Sequence, residues 1–196
     1  GYSLARLCLD DPDGKLAQTE FTQPALYLVS YLQARALLES GCSPSSAAGH
    51  SVGEFAALAT AGAMSFPDGL RMVAKRGEIM SKVRGGGMAA VIGLEEPLVR
   101  ETLASASADE IDLANFNSPG QIVISGLAAR IKETLEPLKA AGARMVVPLK
   151  VSGAFHSRMM EGPAEEFGVF LEQFEFSEPE LPVYSNVEAA PYPDAA

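Results

Sequence analysis

Tryptophan is absent from the 196 residues, and cysteine and histidine occur only twice each. Cys8 and Cys42 are too few and too far apart for a disulfide scaffold, a zinc site or a redox loop, so reduced thiols in a cytoplasmic protein are expected. Basic residues are also scarce, 15 Lys+Arg against 25 Asp+Glu, for a formal net charge of −10. Such a surface repels phosphate backbones and anionic bilayers, which argues against nucleic acid or membrane as a partner. No apolar run approaches the roughly 18 residues of a membrane span, and Gly1-Tyr2-Ser3 does not begin a secretory leader. Neither a metal nor a bound cofactor is expected. What remains is ordinary globular composition, 47% hydrophobic and 20% charged. A chain of this length can bury roughly 70% of its unfolded surface as one domain, or one domain with a small insertion. It does not start with Met, and its first residues read as the inside of an element, so a fragment or excised domain is expected.

Turn residues crowd Asp10-Asp11-Pro12-Asp13-Gly14. Thr22 before Gln23-Pro24 reads as a helix start, and Ala25, Leu28, Val29, Leu32 and Ala36 recur at helical spacing to about Glu39, predicting one buried face. Ser46 to Gly49 reads as a short buried strand of small residues, followed by helices over Glu54–Ala63 and about Gly69–Val83. Gly85-Gly86-Gly87 reads as a flexible joint. Beyond it the order is strand (Met88–Ile92), helix (Glu96–Ser105), strand (Ile111–Asn115), turn (Asn117–Gly120), strand (Gln121–Ser125), helix (Ala128–Ala141) and strand (Arg144–Leu149). That β-α-β-β-α-β succession predicts a ferredoxin-like unit over residues 86–149, inserted into a body made of residues 1–85 and 150–196. A helix over Glu161–Phe174, a strand over Val183–Asn186 and a Pro-rich end, Pro191–Ala196, complete the chain.

Gly49-His50-Ser51-Val52-Gly53, between a predicted strand and a predicted helix, has the Gly-x-Ser-x-Gly form of a nucleophile elbow. A strand that turns at once into a helix strains the residue at the bend. Its neighbours two positions away must be nearly side-chain-free, and the helix start beneath offers N–H groups to an oxyanion. A plain glycine-rich turn is the competing reading. A serine needs a base, and only two histidines exist. His50 is adjacent to Ser51, where side chains diverge, which leaves His156 in Gly153-Ala154-Phe155-His156-Ser157. Asp109 and Asp112 are possible third members of a triad, but they fall inside the inserted unit, so a backbone carbonyl is the expected partner of the imidazole. Arg76 could grip a carboxylate with two parallel hydrogen bonds. On spacing alone a solvated basic face is the better reading, because Arg71, Lys75, Lys82 and Arg84 are close by.

These segments together resemble the malonyl-CoA:acyl carrier protein transacylase family. The resemblance rests on Phe21-Thr22-Gln23-Pro24-Ala25-Leu26, Gly49-His50-Ser51-Val52-Gly53-Glu54, Lys75-Arg76-Gly77-Glu78-Ile79-Met80, Ala114-Asn115-Phe116-Asn117-Ser118-Pro119-Gly120-Gln121 and the Gly153–Ser157 segment. It implies an α/β fold, with an α/β-hydrolase-like large subdomain carrying a ferredoxin-like small one. It implies an acyltransferase in which Ser51 takes malonyl from malonyl-CoA and passes it to the phosphopantetheine thiol of an acyl carrier protein, with His156 as base and then acid. Arg76 would pair with the malonyl carboxylate, Val52 N–H would hold the oxyanion, and Phe155 would crowd out a 2-methyl branch. Met80 and Asn117 complete the implied substrate-binding set. The opening segment, including Leu7-Cys8-Leu9-Asp10, is similar to freestanding acyltransferases of polyketide synthesis. The family's Gly-Gln-Gly loop and a C-terminal glutamine segment have no counterpart, so a chain truncated at both ends is expected.

Two other readings stay open. A serine esterase or thioesterase could use the same elbow but would gain nothing from a buried cation at Arg76, and a docking domain could retain the fold without activity. Carrier proteins are acidic, so docking on this acidic chain needs a local basic patch. Lys75, Lys82, Arg84, Arg144, Lys150 and Arg158 are the candidates.

Overall fold

The computed structural model describes residues 2–151 and 153–193. Gly1, Ser152 of the histidine segment and the last three residues of the Pro-rich end lie outside the described residues. No helix among those described is long and apolar enough to cross a membrane. The fold is mixed α/β. It divides into two compact bodies, one formed by Gly1–Ile79 with Phe167–Ala196 and the other by Met80–Glu166.

The first body begins with α1 (Leu4–Asp10), capped by the Ser3 side chain and ended by Asp11 in a left-handed conformation. α2 (Thr19–Glu39) starts three residues before the predicted Thr22 and carries Pro24 inside it. Thr22 is not a cap, because its hydroxyl donates to the Leu16 and Gln18 carbonyls. The buried side of α2 also differs from expectation. Tyr27 is 0% exposed while Leu32 is 55% exposed, and Val29 and Leu37 also face outward. Two i,i+4 rows compete on this helix, and the aromatic one wins. Tyr27 and Tyr31 pack with Phe66, and the Tyr27 hydroxyl donates to the Phe66 carbonyl at 3.1 Å. Burial pushes that phenol well above its ordinary pKa.

The strand β1 is only Ala47–Ala48, pairing in parallel with β6 (Val183–Tyr184). Ala48 is exposed rather than buried, since β1 has no second strand beside it among the described residues. α3 (Gly53–Thr60) and α4 (Phe66–Ser81) follow. Val52, Ala56, Met72 and Val73 share a core with Tyr27, against which Phe167, Leu171 and Phe174 also pack. Burying apolar side chains of this size contributes roughly 1.5–3 kcal/mol each. A Cβ on Gly69 would lie 2.2 Å from the Tyr27 hydroxyl, so this position of α4 admits only glycine.

The second body is a four-stranded antiparallel sheet with the order β3-β4-β2-β5. Its elements are β2 (Gly86–Ile92), α5 (Glu96–Ser105), β3 (Asp112–Ser118), β4 (Gln121–Leu127), α6 (Ala128–Ala140) and β5 (Met145–Pro148). Ala89, Val91, Ile122 and Ile124 point to one face and pack with Val99, Leu103, Ile131 and Leu138 of the helices. Met88, Ala90 and Val123, the alternate residues, point to the other face with Phe155 and Met80. The glycine run is not a joint, because Gly86 and Gly87 lie in β2, paired with Leu127 and Gly126. A Cβ on Gly86 would fall 2.0 Å from the Ala154 nitrogen, so its bareness serves close packing. The predicted turn is shorter than expected. Asn117 and Ser118 belong to β3, leaving Pro119-Gly120 as the hairpin, with Gly120 at φ +68°. α7 (Glu161–Leu171) follows a 3-10 turn at Arg158–Met160.

Candidate active site

Ser51 sits between β1 and α3 at φ +52°, in the left-handed region that a residue with a side chain seldom occupies. Gly49 makes the bend possible, since a Cβ there would lie 2.0 Å from the Gly53 carbonyl carbon. Gly53, Glu54 and Phe55 N–H groups are taken by the carbonyls of His50, Ser51 and Val52. The Val52 N–H makes no hydrogen bond among the described residues, which leaves a donor at the start of α3.

Arg76 reaches Ser51 from α4. Its Nη2 donates to Ser51 Oγ at 3.1 Å and its Nη1 to Gln23 Oε1 at 2.7 Å. The guanidinium lies 6.0 Å from the Phe55 ring centre. Gln23 is 5% exposed, and Arg76 is partly buried. Burial lowers the Arg76 pKa while the charge of Glu54 opposes the shift. A guanidinium stays charged under either influence. No carboxylate forms an ion pair with Arg76 among the described residues; its partners are a neutral amide and the serine hydroxyl. A partly buried cation without an anion costs stability unless something else uses it.

A remote segment completes this half of the site. Asn186 Oδ1 accepts from the Ser51 N–H at 3.0 Å. Its Nδ2 donates to the Gly49 carbonyl at 2.6 Å and to Glu54 Oε2 at 2.8 Å. Glu54 Oε1 accepts from the Asn186 N–H at 3.1 Å and from the Tyr192 hydroxyl at 2.5 Å. Sequence reasoning missed the roles of Gln23, Glu54, Asn186 and Tyr192. Gln23 and Glu54 lie inside segments already singled out, but nothing near Asn186 or Tyr192 signals a contact more than a hundred residues away.

Met80, Asn117, Phe155 and His156 belong to the second body. Phe155 and Met80 are buried together against Met88 and Val123. Asn117 is exposed near the end of β3. His156 is exposed at φ +57°, so it too occupies the left-handed region. Its loop is fastened on both sides. Ser157 Oγ donates to the Ala154 carbonyl at 2.7 Å. Arg158 donates to Asp112 through its backbone N–H at 2.7 Å and its Nη2 at 2.6 Å. Burial pushes the Asp112 carboxyl up, but the Arg158 hydrogen bonds outweigh it and hold the group below its ordinary range. Both Asp112 oxygens are therefore committed to Arg158. Of the proposed basic patch, Lys75, Lys82 and Arg158 already face Glu78, Glu166 and Asp112.

The chain carrying this site is similar to known proteins along nearly its whole length. The acyl transferase domain matches residues 1–194. The chain belongs to the acyl transferase domain family. It is 50% identical over 193 residues to the polyketide biosynthesis protein ThaF of Burkholderia thailandensis, covering 98% of this chain and 17% of that one. It is 48% identical over 194 residues to the polyketide biosynthesis malonyl CoA-acyl carrier protein transacylase PksC of Bacillus subtilis, covering 98% of this chain and 67% of that one. The crystal structure of a malonyl CoA-acyl carrier protein transacylase from Burkholderia pseudomallei superimposes with a TM-score of 0.95 at 42% identity, over 100% of this chain and 67% of the other. The chain thus spans 17% of the first of these relatives and 67% of the other two.

Proposed function

We propose that the protein transfers malonyl from malonyl-CoA, through an ester on Ser51, to the phosphopantetheine thiol of an acyl carrier protein in polyketide synthesis. The observation that carries this reading is Arg76, a partly buried cation that forms no ion pair among the described residues and donates to the Ser51 hydroxyl. A malonyl thioester brings the missing anion to within reach of the nucleophile. The guanidinium fork can then hold that carboxylate by two parallel bonds.

In the first half-reaction His156 takes the Oγ proton as Oγ bonds to the thioester carbon, and the Val52 N–H receives the oxyanion. The C–S bond breaks, and CoA leaves as a thiol with the proton from His156. In the second half-reaction the carrier thiol gives its proton to His156 and attacks the ester. Its C–O bond breaks, and His156 returns the proton to Ser51. This chemistry closes without a metal or bound cofactor. Phe155 and Met80, buried together, would wall the pocket against a 2-methyl branch, and Asn117 would contact substrate. We read residues 1–85 and 150–196 as an α/β-hydrolase-like body and 86–149 as a ferredoxin-like insertion; the sheet order β3-β4-β2-β5 supports the second part. The free thiols of Cys8 and Cys42 fit a cytoplasmic setting.

A neutral-ester hydrolase is less well supported, because it has no use for the Arg76 charge. Mass spectrometry of the intact protein after exposure to malonyl-, methylmalonyl- and acetyl-CoA tests the proposal. A malonyl adduct on Ser51, with little from the other two, is the expected result. Equal labelling by acetyl-CoA, or rapid loss of the adduct to water, would favour the hydrolase.

A further inference from the structure

We propose that Asn186 is a positioning residue for the nucleophile, and that Glu54 and Tyr192 hold it in its working orientation. This rests on Ser51 being the acylated residue. A serine at φ +52° persists only where its surroundings over-determine the bend. Local sterics supply part of that through Gly49. The rest comes from one amide group that bonds both sides of His50, accepting from the Ser51 N–H and donating to the Gly49 carbonyl.

The polarity of that amide is fixed by its neighbours. Nδ2 faces two acceptors, the Gly49 carbonyl and Glu54 Oε2, while Oδ1 faces a donor. Turning the amide over would set N–H against N–H and oxygen against carboxylate. Glu54 is held in turn by the Asn186 N–H and the Tyr192 hydroxyl. Burial, and then the Glu54 carboxylate, push the Tyr192 phenol up to about 12, so it remains a donor throughout the neutral range. Asn186 sits in a tight return of the chain. The Ser185 N–H bonds the Ala190 carbonyl, and the Tyr192 N–H bonds the Val183 carbonyl. Because the amide occupies the Ser51 N–H, it leaves the Val52 N–H as the donor at the bend. Its side-chain hydrogen bonds go to the Ser51 N–H, the Gly49 carbonyl and Glu54, so it aims the serine rather than the Arg76 cation.

The test compares Asn186→Ala, Asn186→Asp and Tyr192→Phe in the intact protein, with Ser51→Ala as control. Three quantities are measured: the single-turnover rate of acylation by malonyl-CoA, KM, and inactivation by a neutral aryl sulfonyl fluoride that does not engage Arg76. Misplacing a reacting atom by an ångström costs about 10²-fold in rate. Asn186→Ala is expected to slow both acylation and sulfonylation by about that factor, with KM within about twofold of wild type. Asn186→Asp, isosteric but presenting oxygen to two acceptors, should be at least as slow. Tyr192→Phe deletes one hydroxyl without opening a cavity and should cost several-fold at unchanged KM. If Asn186→Ala does not fold, the other two variants carry the test. The proposal is overturned if the folded variants acylate at wild-type rate while Ser51→Ala is inert, or if their rate losses merely follow loss of melting temperature and a rise in KM. Acylation persisting in Ser51→Ala would instead take down the nucleophile reading, and this inference with it.

Discussion

Ser51 and His156 both sit in left-handed backbone, at φ +52° and +57°, yet the two bodies hold them by different means. The serine bend depends on an absent Cβ at Gly49 and on an uncharged amide from a segment 135 residues away. The histidine loop depends on an absent Cβ at Gly86, where the Ala154 backbone seats, and on a charged fastening between Arg158 and Asp112. The amide that touches the bend is itself uncharged, and the Glu54 carboxylate that orients it also acts on the Arg76 cation. An ion pair beside Ser51 would compete with that cation. At the histidine loop a charged fastening is tolerable because Arg158 is exposed to solvent and meets both oxygens of the half-buried Asp112.

The most severe way to break this comparison is to fill the glycine seats. Gly49→Ala places a carbon 2.0 Å from backbone that cannot yield, and should destabilise the first body by about 3 kcal/mol and abolish acylation. Gly86→Ala, with a clash of the same depth, should damage the second body comparably. Denaturant unfolding with separate probes in the two bodies measures whether each loss stays in its own body.

Next in size is Arg76→Ala. Losing a charge-assisted bidentate contact worth roughly 1.5–3 kcal/mol should lower malonyl-over-acetyl preference about 10- to 10²-fold and leave sulfonyl fluoride reactivity nearly intact. Competition between the two acyl-CoA thioesters reads this directly. An unchanged preference would leave the cation without a purpose.

A smaller effect is expected at the charged fastening. The Asp112 carboxyl is held below its ordinary range, so its contribution is complete above the unfolded carboxyl pKa of about 3.9 and fades as pH falls through the depressed native value. Asp112→Asn should therefore lower stability near neutrality and remove part of the acid sensitivity of the second body. A pH series of melting curves for both proteins would show the two converging on the acid side. If the gap between them stayed constant with pH, the charge on Asp112 would not be what fastens the loop.

The smallest effect belongs to Ser125, fully buried in β4 with a hydroxyl that finds no partner among the described residues. Ser125→Ala should be neutral or stabilising by up to about 1 kcal/mol, read by denaturant midpoint. A clear loss would mean the hydroxyl is used.

Much of the second body was legible because its strands pair within short loops, so alternation in Ile122, Val123 and Ile124 carries the whole pattern. The elbow was legible for a similar reason, its steric demands falling within the five residues Gly49–Gly53. The inward face of α2 was not, since Leu28/Leu32 and Tyr27/Tyr31 share the same i,i+4 spacing and only contact with Phe66 distinguishes them. The glycine run was misread because bareness for close packing and bareness for flexibility look identical in one dimension.

By itself, then, the order of residues determined the glycine-cleared turn around Ser51 and the hairpins of the sheet, because backbone sterics and turn chemistry act over a few neighbours. Only the folded chain decided that Arg76 would meet an amide and a hydroxyl, that Asp112 would be spent on Arg158, and that Asn186 would return to Ser51. Those outcomes depend on which distant groups meet, and no local rule encodes a hydrogen bond that spans most of the chain.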